Sequence, residues 1–81
     1  MKELHLTIVT PEQTMFDGPV TQVTLPGEAG RFQVLYRHAA LISSLVAGDM
    51  RYTAGGELRS LRLKGGFVEV NDNNVLVCAE L

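Results

Sequence analysis

Three features of this 81-residue sequence predict an all-β fold, a sandwich or a barrel. Its apolar residues fall in short runs that alternate with polar ones at a period of two, so one face of each run is suited to burial. Turn-forming residues, glycine, proline and asparagine above all, recur between these runs every several residues. No stretch sustains the 3.6-residue period of a long helix.

The first strand is Leu4 to Thr10, with Leu4, Leu6 and Ile8 on one face and His5, Thr7 and Val9 on the other, and Pro11 ends it. Met15 and Phe16 precede Asp17-Gly18-Pro19, which reads as a turn because glycine accepts positive φ and proline fixes the next φ. In Val20 to Leu25, Thr21, Val23 and Leu25 alternate with Val20, Gln22 and Thr24. Four of these six residues are β-branched, which suits a pleated, half-buried surface. Pro26-Gly27 closes this strand. After Glu28-Ala29-Gly30, the run Arg31 to Tyr36 sets Phe32, Val34 and Tyr36 against Arg31, Gln33 and Leu35.

Ala39 to Val46 also fits helical spacing through Ala39, Ile42, Leu45 and Val46, but it covers only about two turns and is bounded by Gly48. An extended or irregular path is therefore expected. Met50 to Thr53 and Leu58 to Leu63 flank Gly55-Gly56 and read as an antiparallel hairpin, since paired glycines supply positive φ. Gly65-Gly66 interrupts, Phe67 to Val70 alternates, and Asn71 to Asn74 forms a polar turn. Val75 to Ala79 is apolar on both faces, as a central strand requires.

Eighty-one residues suit one domain that hides roughly 60 to 65% of its unfolded surface. A net charge of −2 with both signs interspersed offers no electrostatic footprint for nucleic acid or an anionic membrane. Nowhere do about 18 apolar residues run together, so no direct membrane insertion is expected. MKELHLTIV alternates where a secretory leader would hold an unbroken apolar core. Cys78, the only cysteine, lies in an apolar run; it reads as a buried small hydrophobe and fits a reducing compartment.

Sites for chemistry are not indicated. His5 and His38 lie far apart and with Cys78 lack the close ligand pairs of a zinc site, and His5 reads as a solvated side chain on a polar face. Ser43 and Ser44 stand in no nucleophile context. Lys64-Gly65-Gly66 lacks the order of a phosphate loop and precedes a strand, not a helix, so a bulge or tight turn is expected there. Arg59, Arg62 and Lys64 lack the interleaved aromatics that stack bases and fit a charge-protected edge strand. The run Arg37 to Val46, with Ala39, Ala40, Leu41, Ile42 and Leu45 beside Ser43-Ser44, reads either as ordinary core or as a surface on which a partner docks.

Four segments, taken in order, carry a family resemblance: LTIVTPEQTMFDGPVTQVTLPGEAG, HAALISSL, GGFVEV and NVLVCAE. From Leu4 to Glu80 the chain resembles the N-terminal domain of the ε subunit of F-type ATP synthases, called δ in mitochondria. Gln33 stands where glycine is common in that pattern, and Tyr36 and Ala40 where prolines are common. The resemblance implies a ten-stranded β sandwich of two five-stranded, mostly antiparallel sheets without a long helix. In the family a helical hairpin follows, carrying ATP binding and the inhibition of hydrolysis; this sequence stops at Leu81, before it.

The resemblance further implies a non-catalytic part of the rotor's central stalk, with no cofactor, on the cytoplasmic face of the membrane. Its partners would be subunit γ and the c-ring. The turn Gly27, Glu28, Ala29, Gly30 and Arg31 would face the polar loops of the c-ring, and His38, Ala39, Ala40, Ile42 and Ser43 would meet γ. Leu41 and Ile42 are adjacent, so an extended chain points them to opposite sides; Leu41 is expected inward and Ile42 outward. His38 offers either a titratable contact or a plain structural hydrogen bond. The rival reading is a small β-barrel that binds a ligand or an oligonucleotide, disfavoured by the missing basic and aromatic surface.

Overall fold

Nine strands, and no helix, make up residues 2–81 as described by a computed structural model. They are β1 (Leu4–Val9), β2 (Thr14–Val20), β3 (Gln22–Gly27), β4 (Gly30–Val34), β5 (Leu41–Leu45), β6 (Gly48–Ala54), β7 (Glu57–Leu63), β8 (Gly65–Asn71) and β9 (Asn74–Glu80). Hydrogen bonding links them in the order β2-β1-β9-β8-β5-β3-β6-β7, with β4 on the other side of β3. Only β1 and β9 pair in parallel. The expected all-β sandwich is present, but with nine strands instead of ten. Its two sheets, β2-β1-β9-β8-β5 and β4-β3-β6-β7, are continuous through one corner where Gly27 pairs with Leu45.

The period-two pattern decides what enters the core. Leu4, Leu6 and Ile8 of β1, Val68 and Val70 of β8, and Val75, Val77 and Ala79 of β9 point inward from one sheet. Val23, Leu25, Val34, Met50 and Tyr52 answer from the other. Burying each large aliphatic group contributes about 1.5 to 3 kcal/mol. Phe16 of β2 packs on Tyr52 of β6 with ring centroids 4.8 Å apart, closing the sandwich at the edge opposite the corner. The last strand is central as expected, held by β1 and β8.

Several turn signals were overridden by pairing. Asp17-Gly18-Pro19 does not turn but continues β2, matched to Thr7, Leu6 and His5 of β1. Proline is tolerated there because β2 is an edge strand and Pro19 owes no N–H to a second neighbour. The chain instead breaks at Thr21, whose N–H donates to the Thr53 carbonyl at 3.0 Å. Pro26-Gly27 likewise ends inside β3, buried, and the reversal falls on Glu28-Ala29. The strand expected over Arg31 to Tyr36 stops at Val34.

Gly65-Gly66 does not interrupt; both residues pair within β8, opposite Glu80 and Ala79. Gly66 has φ +135, and a Cβ there would sit 2.1 Å from the Cys78 carbonyl oxygen. Cys78 is half-buried on the outer face, beside Val9 and Phe67 in the register, not sealed in the core. At the far edge, β7 carries the expected charge, with Arg59 paired to Glu57 at 3.2 Å and Arg62 to Asp49 at 3.4 Å.

Two glycine substitutions separate packing from backbone strain. Gly66→Ala should destabilise the fold by about 3 kcal/mol or more, because a backbone clash adds to the φ penalty. Gly30→Ala, at φ +127 with nothing within 4 Å, should cost only about 1 to 2 kcal/mol of strain. Urea unfolding of both variants is the check; equal losses would refute the steric account of Gly66.

Candidate functional site

Two surfaces expected from the sequence lie at either end of a short path. The first is the tip of the β3–β4 hairpin. Glu28, Ala29, Gly30 and Arg31 are exposed, whereas Gly27 is buried beneath them. A Cβ at Gly27 would lie 2.7 Å from the Gly30 carbonyl oxygen and 2.8 Å from the Phe32 ring, so glycine is needed for the hairpin to close this tightly. Arg31 is engaged, not free: its Nη2 donates to the Asp49 carbonyl at 2.6 Å, tying the hairpin to β6. Glu28 is left as the tip's unpaired charge among the described residues.

The second surface is β5 and the loop before it. β5 alternates as expected: Ile42 is 75% exposed, whereas Leu41 is half-buried and packs on the core. Ser43 shares the inward side with Leu41, and its hydroxyl donates to the Ser44 carbonyl at 3.0 Å. His38, Ala39, Ala40 and Ile42 thus stand at the accessible rim, and Ser44, not Ser43, shares Ile42's face. His38 Nδ1 donates to the Ala39 carbonyl at 2.7 Å, a local structural bond.

Register joins Ile42 to a wider outer face that sequence reasoning missed. One row crosses Ile42, Glu69, Leu76 and Thr7; the next crosses Ser44, Phe67, Cys78 and Val9. Phe67 is 46% exposed, an apolar side chain on the parity opposite Val68 and Val70. The signal for this face was the apolar character of both sides of Val75 to Ala79, which marks centrality and hides which side meets solvent.

The two surfaces touch through the backbone. The Glu28 N–H donates to the Ser44 carbonyl at 3.0 Å, and the Val46 N–H donates to the Pro26 carbonyl at 2.9 Å. Ser44 lies two residues beyond Ile42, about 7 Å along a strand. Elsewhere, His5 Nε2 donates to Asp17 Oδ1 across the β1–β2 edge, so His5 is solvated but partnered. Among the described residues, no three His, Cys, Asp or Glu side chains converge. The arrangement holds the two surfaces in a fixed relation.

Residues 3–81 match the family described as ATP synthase, Delta/Epsilon chain, beta-sandwich domain. The ATP synthase epsilon chain of Nitratidesulfovibrio vulgaris (strain DSM 19637 / Miyazaki F) is 43% identical over 79 residues, covering 98% of this chain and 59% of that protein. The epsilon chain of Desulfitobacterium hafniense (strain DSM 10664 / DCB-2) is 41% identical over 75 residues, covering 93% and 57% respectively. This chain therefore spans less than two thirds of the length of these relatives. The fold is similar to a chain in the Euglena gracilis mitochondrial ATP synthase, solved with OSCP, F1 and the c-ring. There the TM-score is 0.90 at 24% identity, over 98% of this chain and 51% of that one. For the central stalk and c-ring of the Tetrahymena thermophila enzyme the TM-score is 0.82 at 20% identity, over 100% and 65%.

The facing of β5 has a direct test in stability. Ile42→Lys should leave unfolding free energy within about 1 kcal/mol, since the side chain is solvated and its register partner Glu69 offers an opposite charge. Leu41→Lys should cost about 2 to 3 kcal/mol by pressing an ammonium against the core. Thermal melts of the two variants decide it, and the reverse order would invert the assignment.

Proposed function

The chain belongs to the ATP synthase delta/epsilon family, as its β-sandwich domain, and we propose that it is a non-catalytic part of the rotor's central stalk. In this reading it joins subunit γ to the c-ring, so that ion-driven rotation of the ring turns γ. It sits peripherally at the cytoplasmic face of the membrane. Ile42, with His38, Ala39 and Ala40 beside it, meets γ; the tip formed by Glu28, Ala29, Gly30 and Arg31 meets the polar loops of the ring.

The observation that carries the reading is an isoleucine left 75% exposed on a strand whose next outward residue, Ser44, is bonded to the hairpin tip. A solvated isoleucine gains about 1.5 to 3 kcal/mol when a partner covers it, which gives the γ contact its strength. The tip offers Glu28 as a free carboxylate, and exposed ion pairs contribute only about 0.2 to 1 kcal/mol each. Arg31 supports the tip from behind through the Asp49 carbonyl.

Ile42→Lys should weaken γ binding at least about tenfold while the domain stays folded. Titration of purified γ by calorimetry measures this, and parent-like affinity would move the interface elsewhere. In the assembled complex, a cysteine replacing Glu28 should crosslink to a cysteine in the ring's polar loop. A cysteine replacing Asp17, on the β1–β2 edge, should not; crosslinking at Asp17 alone would reverse the polarity of the domain. ATP should bind the chain no tighter than about 0.1 mM, equivalent to about 5.5 kcal/mol, because no cradle of backbone N–H groups at a helix N-terminus is present among the described residues.

A further inference from the structure

We infer that Asn73, far from β5 in sequence, is a positioning residue for the segment that delivers His38, Ala39 and Ala40 to the rim beside Ile42; its role in binding rests on the γ-docking reading above. The chain leaves β4 at Val34 and enters β5 at Leu41, so residues 35–40 must reverse it. They do so in a turn closed by the His38 N–H donating to the Leu35 carbonyl at 3.0 Å. The third residue of that turn is Arg37, at φ +68. Turns with positive φ at that position favour glycine or asparagine, and an ordinary L side chain there costs about 1 to 2 kcal/mol.

Such a conformation persists only where its surroundings over-determine it. The Arg37 N–H donates to Asn73 Oδ1 at 2.7 Å, across 36 residues of sequence. Among the described residues, this is the one hydrogen bond that ties residues 36–40 to another part of the fold. Asn73 is itself well placed to act as an anchor. With Asp72 at φ +54 and Asn73 at φ +64, it forms the tight β8–β9 turn, a conformation asparagine and aspartate tolerate. Its carbonyl accepts the His5 N–H at 2.9 Å, fixing that turn to the start of β1. One residue therefore grips β1 with its backbone and the Arg37 turn with its side chain. Leu41 pairs with Val70 on the strand that leads into the Asn73 turn, so the anchor lies at the end of the sheet where β5 begins.

The test uses the full chain with substitutions at Asn73 and Arg37, read beside Ile42→Lys. Asn73→Gly keeps the left-handed backbone but removes the acceptor, whereas Asn73→Asp keeps both. Hydrogen exchange should show the Arg37 and His38 amides of Asn73→Gly opening at least about fivefold more than in the parent, the loss expected for one hydrogen bond, with β8 and β9 still protected. Asn73→Asp should stay parent-like. Affinity for γ should fall about fivefold in Asn73→Gly, remain within about twofold in Asn73→Asp, and recover when Arg37→Gly relieves the turn in the Asn73→Gly background. Parent-like protection of Arg37 and His38 in Asn73→Gly overturns the inference whatever γ does. Parent-like affinity in Asn73→Gly, beside weakened binding in Ile42→Lys, overturns its role in binding. Parent-like affinity in both variants overturns the docking reading instead, and exchange at Arg37 then decides whether Asn73 positions the segment.

Discussion

The corner where β3 meets β5 is the constraint on which the rest of this molecule depends. Two sheets pack face to face, yet they join at one register pair, Gly27 with Leu45. That junction is held by the reciprocal bonds from Glu28 to Ser44 and from Val46 to Pro26. It needs Gly27, because the hairpin backbone and the Phe32 ring occupy the space a side chain would take. It also needs Leu45 turned inward, which by strict alternation turns Leu41 inward and Ile42 outward. The exposed isoleucine is thus a consequence of closing the sandwich at this corner.

Stiffness follows from how few independent motions remain. The hairpin tip is fixed on one side by the β5 backbone and on the other by the Arg31 guanidinium on the Asp49 carbonyl. β5 is fixed by five register pairs to β8, and β8 by seven to β9. A core packed to crystal-like density resists sliding between the sheets, and among the described residues no buried side-chain polar group is left without a partner. On the proposed reading, in which the domain passes torque between two neighbours, this stiffness is the property the function calls on.

What was legible in the sequence is what alternation alone decides. The parity of Leu41 and Ile42, the Gly55-Gly56 hairpin and the centrality of Val75 to Ala79 follow from a period of two and a local turn preference. The misread positions are those where a long-range partner outweighed a local signal. Asp17-Gly18-Pro19 has the composition of a turn, but β1 offers it a full ladder, and an edge strand forgives the proline. Gly65-Gly66 reads as a break because the carbonyl of Cys78, which requires the missing side chain, is twelve residues away. Asn73 was legible only as a turn former; its hold on Arg37 depends on two loops meeting in space, which no spacing reports.

On the proposed reading, the two ends of the domain differ in physics as well as in place. The Ile42 end gains by removing apolar surface from water, a force without direction that strengthens with area and resists separation. The Glu28 end acts through a charge in solvent, which salt screens within about 10 Å and which tolerates small shifts of its partner. A domain held firmly to γ and lightly to the ring follows γ as one body, while its tip accommodates the repeating loops of a ring. The short covalent and hydrogen-bonded path from Ile42 through Ser44 to Glu28 lets these unequal contacts act on one rigid unit.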